Sequence, residues 1–211
     1  MTQFLGQAKA AAEHGYVAVL ADYRVACRDN TTVIAAVEDA RDAYAWLRRE
    51  SAELGVNPGR IVLAGGAAGG QLALVASLSA GSAVRPAALV LYNPAVDLFP
   101  LTSLTGLQQD EVAKISPSAM NVAVFPPMLI LHGESDRIVP VDTVRTFCSK
   151  VSAAAGSCEL HEYAGQGHGF FNRHTKDAQG LAPYDDTLVR TFAFLNALGM
   201  QPPISVSKRV E

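Results

Sequence analysis

Several apolar runs in this chain are too short for helices and too continuous for strands with one wet face. They are YVAVLADY at 16–23, RIVLA at 60–64, AALVLY at 87–92 and MLILH at 128–132. Strands buried on both faces read this way, and between these runs the apolar spacing turns helical. Phe4, Leu5, Ala8 and Ala12 share one face of a helix over 3–13 that Gly15 closes. Val33, Val37, Ala40, Tyr44 and Leu47 form a stripe behind Thr31 or Thr32 as cap. Helices are also predicted over 141–154 and 183–198, a last strand over CELHEY at 158–163, and irregular chain over 93–126. The alternation predicts an α/β fold, a mostly parallel central sheet with helices on both faces. With no repeat or linker, residues 1–199 read as a single domain, followed by a polar, proline-containing, frayed tail over 200–211.

Charge excludes some partners. The net charge is −3, and no Lys/Arg cluster precedes the final SKRVE. No nucleic-acid groove and no basic membrane-surface helix is expected. No apolar run approaches a membrane span, and the first residues lack the charged start and apolar block of a signal peptide, so a cytoplasmic location is expected for the chain as written. Cys148 and Cys158 flank one helix-to-strand connection, where a bridge is geometrically possible; in a reducing compartment buried free thiols are the expectation. Cys27 reads as an incidental loop thiol. His168 and His174 have no third ligand at sensible spacing, so neither a metal nor another cofactor is expected.

Ligands of open parallel sheets lie beyond the carboxyl ends of the strands, which directs attention to the loops there. The first holds GGAAGG at 65–70, a strand-to-helix turn with the G-x-S-x-G pattern intact at Gly65 and Gly69 but Ala67 in place of serine. Asp136 lies four residues past MLILH, and His168 lies between two glycines in AGQGHGFF. The order nucleophile position, acid, histidine suits a triad in which histidine takes the nucleophile's proton and the carboxylate orients the ring. The N–H of Ala68, with Gly66 beside it, faces the oxyanion. Gly65 and Gly69 allow the turn, and Gly70 lets the helix approach the sheet. Taken alone, Ala67-Ala68 is an ordinary turn; the matching acid and histidine loops favour the catalytic reading. Asp97 is the reserve acid, Asp142 suits a helix cap better than Asp136, and Glu134 reads as solvated. His132 reads as a structural hydrogen-bonding residue, His14 and His161 as exposed, and Tyr23 and Arg24 as braces of the sheet edge and the neighbouring loop. The stretch DLFPLTSLTGL at 97–107 is either a pocket wall or a connection.

The chain resembles α/β-hydrolases of the esterase/lipase group related to hormone-sensitive lipase, and its small acetyl-esterase-like members. The likeness rests on GYVAVLADYR (15–24), EDARDAYAWLRRESAELGVNPGRIVLAGGAAGG (38–70), FPPMLILHGESDRIVP (125–140) and YAGQGHGFFN (163–172). The resemblance implies an α/β-hydrolase fold with Ala67 at the serine position and Asp136 and His168 in the family's acid and histidine loops. Two departures stand out. The serine is absent, and no HGGG, the family's oxyanion loop, occurs in the chain, which also lacks the family's first strands. With the strand that normally lies between them missing, 16–23 and the elbow strand are expected to pair directly, or to be complemented in a homodimer. The implied activity is hydrolysis of small acetyl or short-acyl esters through an acyl-enzyme, nearly abolished by Ala67. Because acid and base persist, the alanine reads as an engineered or recent loss. The alternatives are a non-catalytic protein that binds a small ligand in the same cleft and a prolyl-oligopeptidase-type peptidase.

Overall fold

The computed structural model describes residues 3–78, 85–176 and 183–202. Its centre is a parallel four-stranded sheet in sequential order, β1 (Val62–Gly66), β2 (Ala88–Tyr92), β3 (Met128–Gly133) and β4 (Cys158–Tyr163). Every residue of β2 and β3 is buried, while β1 at one edge carries the exposed Ala64. Alternate side chains serve the two faces, as the pleat requires. Leu89, Leu91, Met128 and Ile130 face one core with Val144, Phe147 and Val151 of α7 (Val141–Ala153) and Leu74 of α4 (Ala68–Ser77). Ala88, Val90, Tyr92, Leu129 and Leu131 face the other with Phe170, Phe171, and Phe194 and Leu195 of α8 (Pro183–Ala197). A third cluster joins α4 to α3 (Val33–Arg49) through Leu72, Val75, Ala36 and Val37. Helix α4 is thus covered on both sides, and its residues 70–77 are all buried.

The helices fall near their expected limits, with α1 at Leu5–Glu13 and Thr32 as N-cap of α3; a single turn, α2 (Ala26–Asp29), comes between them. The strand expected over 16–23 does not form. Residues 16–25 carry no ladder, and Val17 (55%), Val19 (46%) and Leu20 (36%) are exposed. The direct pairing with the elbow strand is not made either: β1 is bonded to β2 alone. The pattern is strand-like, but a strand needs a neighbour to complete its backbone hydrogen bonds. The segment expected to be irregular contains short helices, α5 (Thr102–Thr105) and α6 (Gln109–Ala113), the second closed by a capping box between Gln108 and Glu111. Cys148 and Cys158 are bridged rather than free, tying α7 to the start of β4. Met200, in the stretch expected to fray, is buried against Phe194 and Leu195, while residues 203–211 lie outside the described residues.

The elbow's glycines have unequal duties. A Cβ on Gly65 would collide with the carbonyl of Gly69, and one on Gly70 would come within 2.8 Å of the Pro94 side chain. A Cβ on Gly69 meets nothing within 4 Å, so the expectation that Gly69 is needed for the turn is corrected: it contributes backbone, not space. Gly69→Ala is therefore expected to leave the melting temperature unchanged or raise it, because alanine favours the helix by about 0.5–1 kcal/mol. Gly65→Ala, which must displace the elbow backbone, is expected to lower it by several degrees in the same calorimetric comparison.

Candidate active site

The loops carrying residue 67, Asp136 and His168 leave the carboxyl edge of the sheet after β1, β3 and β4, and the last two are in direct contact there. Residue 67 is the hinge between β1 and α4, with φ 50° and ψ −116°. A non-glycine residue in such a conformation costs on the order of 1–3 kcal/mol and persists only where its surroundings enforce it. Here Ala67 N–H donates to Tyr92 O at 3.0 Å, and Ala67 O accepts from Ala95 N–H at 3.1 Å. The hinge is clamped to the end of β2. Ala68 is the first residue of α4, so its N–H is one of the amides an α-helix leaves without an internal partner. The helix dipole adds positive character at that point. Gly66 packs its bare Cα against the rings of Phe4 and Phe171, where a Cβ would come within 3.0 Å of each.

Asp136 stands in the turn after β3, its side chain wholly buried. Its Oδ1 accepts from the N–H groups of Ile138 (2.8 Å) and Val139 (2.9 Å), which fixes the carboxylate plane. Its Oδ2 lies 2.7 Å from His168 Nδ1. Two hydrogen bonds and the imidazole thus serve a carboxylate that water does not reach, and the ring tautomer that donates from Nδ1 is the one this geometry selects. His168 retains 24% side-chain exposure, so the ring joins a buried acid to the accessible surface.

The two loops are sewn together. Ser135 N–H donates to Gln166 O at 2.8 Å, and Glu134 N–H to Tyr163 O at 3.0 Å. At Gly133 the backbone of Gln166 and Gly167 comes so close that any Cβ would collide with it. Beyond His168, Phe170 and Phe171 are buried in the core; Phe170 packs on Tyr163 with ring centroids 4.8 Å apart, and Phe171 on Tyr92 at 5.1 Å. The GHGFF sequence therefore holds the imidazole out by anchoring the next two side chains.

Other candidates fall elsewhere. Asp97 accepts from Phe99 N–H at 3.1 Å and lines a separate groove with Ser118, Asp142 and Lys150, so the reserve acid is not part of this cluster. Asp142 pairs with Arg145 in the first turn of α7, whose N-cap is Pro140. His132 is fully buried and lies 2.9 Å from Val139 O. Burial holds its ring below the usual histidine range, so it stays neutral although Asp136 Oδ2 is 3.7 Å away. His161, expected to be exposed, is only half-buried between Glu159 and Arg190. Arg24 forks onto Asp39 of α3, bracing the neighbouring loop against that helix rather than bracing the sheet edge. Among the described residues no three His, Cys, Asp or Glu side chains converge as metal ligands. Nor is any described helix long and apolar enough to cross a membrane.

Asn93 was not foreseen. It follows β2, is fully buried, and adopts φ 35°. Its Nδ2 lies 3.1 Å from His168 Nδ1 and 3.4 Å from Nε2, so its amide rests against the imidazole rather than in line with one nitrogen. The available signal was an Asn-Pro pair directly after an apolar strand, on the same edge as the other loops.

Comparison with known proteins gives consistent findings. The sequence profile described as alpha/beta hydrolase fold matches residues 6–115. The chain is 28% identical over 185 residues to esterase LipQ of Mycobacterium tuberculosis, covering 75% of this chain and 44% of LipQ. It is 26% identical over 211 residues to the probable carboxylic ester hydrolase LipM of the same organism, covering 87% and 47%. The chain thus spans about half the length of these curated relatives. Among solved structures, Thermogutta terrifontis esterase 2 phosphorylated by paraoxon superposes with a TM-score of 0.83 at 36% identity, over 95% of this chain and 78% of that one. The propionate-bound form of the esterase from that species gives 0.80 at 36%, over 95% and 79%.

Proposed function

Because the chain belongs to the α/β-hydrolase fold family, in its esterase group related to hormone-sensitive lipase, we propose that its site is built for hydrolysis of carboxylic esters with short acyl groups. The observation that carries this reading is the 2.7 Å contact between buried Asp136 and His168, on loops that share an edge with the strained residue 67. In the proposed mechanism a hydroxyl at position 67 attacks the ester carbonyl while His168 Nε2 accepts its proton. Asp136 holds the ring and stabilises the imidazolium. The tetrahedral oxyanion takes a hydrogen bond from Ala68 N–H at the start of α4, while Gly66, whose bare Cα faces Phe4 and Phe171, lets the elbow close on the core. Protonated His168 then passes its proton to the leaving alcohol, and a water activated by the same ring hydrolyses the acyl-enzyme. Ala67 supplies a methyl group where this chemistry needs an oxygen, so the chain as it stands binds ester without acyl transfer.

Ala67 also favours a second reading, a non-catalytic protein that holds a small ester-like ligand in the same cleft. Paraoxon separates the two. The Ala67→Ser variant is expected to gain one diethylphosphoryl group by intact mass spectrometry, on the peptide that carries position 67. The unaltered chain and Ala67→Ser/His168→Ala are expected to remain unlabelled. A serine variant that stays unlabelled at millimolar paraoxon while binding butyrate supports the second reading.

A further inference from the structure

Residues 92–95, at and just after the end of β2, touch both the elbow and the histidine. Tyr92 O accepts from Ala67 N–H at 3.0 Å, and Ala95 N–H donates to Ala67 O at 3.1 Å. Pro94 stands so near Gly70 that a Cβ there would come within 2.8 Å of its side chain. These three residues hold the elbow, and the fourth, Asn93, reaches His168. Its backbone is fixed by its N–H, which donates to Leu131 O of β3 at 2.8 Å. Its Nδ2 lies 3.1 Å from His168 Nδ1 and 3.4 Å from Nε2. No atom can stand that near both nitrogens in the plane of the ring, where Cε1 and its hydrogen fill the space between them. The amide therefore lies over one face of the imidazole, an N–H···π contact. Nothing else in its bonding explains the residue. Asn93 has φ 35°, a conformation asparagine tolerates better than most L-residues. It is fully buried, yet Oδ1 has no hydrogen-bond partner among the described residues. A buried amide oxygen left unpaired destabilises a fold, so its presence calls for a role in what it touches.

We infer that Asn93 is a positioning residue that sets the plane of the His168 ring relative to position 67, a role that rests on the proposed ester hydrolysis. The bond from Nδ1 to Asp136 Oδ2 fixes one ring atom, and the histidine's own Cβ fixes a second point. About the line joining these two the ring can still rock. Nε2 lies off that line and moves with the rocking, although it is the atom that must face the nucleophile. The amide laid on the ring face blocks this movement on its side. Because the same four residues grip Ala67, the face contact and the nucleophile position belong to one turn of chain. Asp136 orients the ring by its edge, and Asn93 registers it to the elbow by its face.

Proton exchange tests the placement on the unaltered chain, and kinetics test its consequence. In the ¹⁵N-histidine-labelled protein, the Nδ1–H of His168 is expected to exchange with water at least about tenfold faster in Asn93→Gly than in the parent, because a rocking ring opens its bond to Asp136 more often. The Nε2–H of His132, bonded to Val139 O, should not change. Asn93→Ser, whose side chain falls short of the ring, is expected to behave as the glycine variant does and decides the matter if that one does not fold. In the Ala67→Ser background, Asn93→Gly is expected to lower kcat for p-nitrophenyl acetate at least about tenfold with KM within about twofold, since a misaimed proton acceptor loses rate rather than binding. Its melting temperature should stay within about 4 °C of the parent, because the amide removed makes no in-line hydrogen bond. Unchanged exchange in both variants overturns the proposal, as does a kcat that falls only in step with the melting temperature. An Ala67→Ser chain that hydrolyses no ester overturns the hydrolase reading instead, and the exchange comparison then decides by itself whether Asn93 holds the ring.

Discussion

Replacing Ala67 with serine is expected to raise the hydrolysis of p-nitrophenyl acetate by about 10³–10⁴-fold over the unaltered chain. Loss of the nucleophile from a comparable serine triad lowers kcat by about 10⁶-fold. One absent oxyanion donor withholds about 10²–10³-fold, and no HGGG stretch occurs in this chain to add a second donor to Ala68 N–H. The difference sets the expected gain. The residue change itself is small, because the elbow already holds residue 67 at φ 50° and bonds its N–H and C=O to the end of β2. His168→Ala in the serine background is expected to return the rate to that of the alanine chain, and p-nitrophenyl butyrate to follow the same order. A gain that survives removal of His168 contradicts the assigned proton acceptor.

Phe170→Ala is expected to be the most damaging single change outside the chemistry. Phe170 is fully buried and packs on Tyr163 and Phe171. Truncating such a ring costs about 3–5 kcal/mol, since the transfer energy is lost and a cavity remains. Against a total stability of about 5–15 kcal/mol, that is a large share. The denaturant midpoint is expected to fall accordingly. In the Ala67→Ser background, activity should fall further than the unfolded fraction explains, because His168 sits two residues upstream and loses its anchor. A stability within about 1 kcal/mol of the parent, well short of the range for a truncated ring, contradicts the account of the histidine loop.

The parts legible in the sequence share a cause. Strands β2 and β3 lie inside the sheet, so both of their faces are apolar and their runs are continuous in the sequence. The loops carrying Asp136 and His168 follow β3 and β4 at once, so strand positions alone placed both residues on one edge. What escaped depends on partners that sequence pattern does not name. Residues 16–23 have the composition of a strand, but their neighbour is absent among the described residues. Asn93 reaches His168 across 75 positions, and an asparagine before a proline reads first as a turn. The bridge between Cys148 and Cys158 depends on the redox setting as much as on proximity. Gly69 fits the motif, yet the space beside it is open.

The central claim is that position 67, His168 and Asp136 act as one unit, and a crystal structure of the Ala67→Ser variant measures it most directly. The account predicts the introduced hydroxyl oxygen at position 67 within about 2.6–3.2 Å of His168 Nε2, with Nδ1 still bonded to Asp136. A serine hydroxyl turned away from the ring by more than about 5 Å, in a variant whose elbow and histidine loop are otherwise intact, contradicts it.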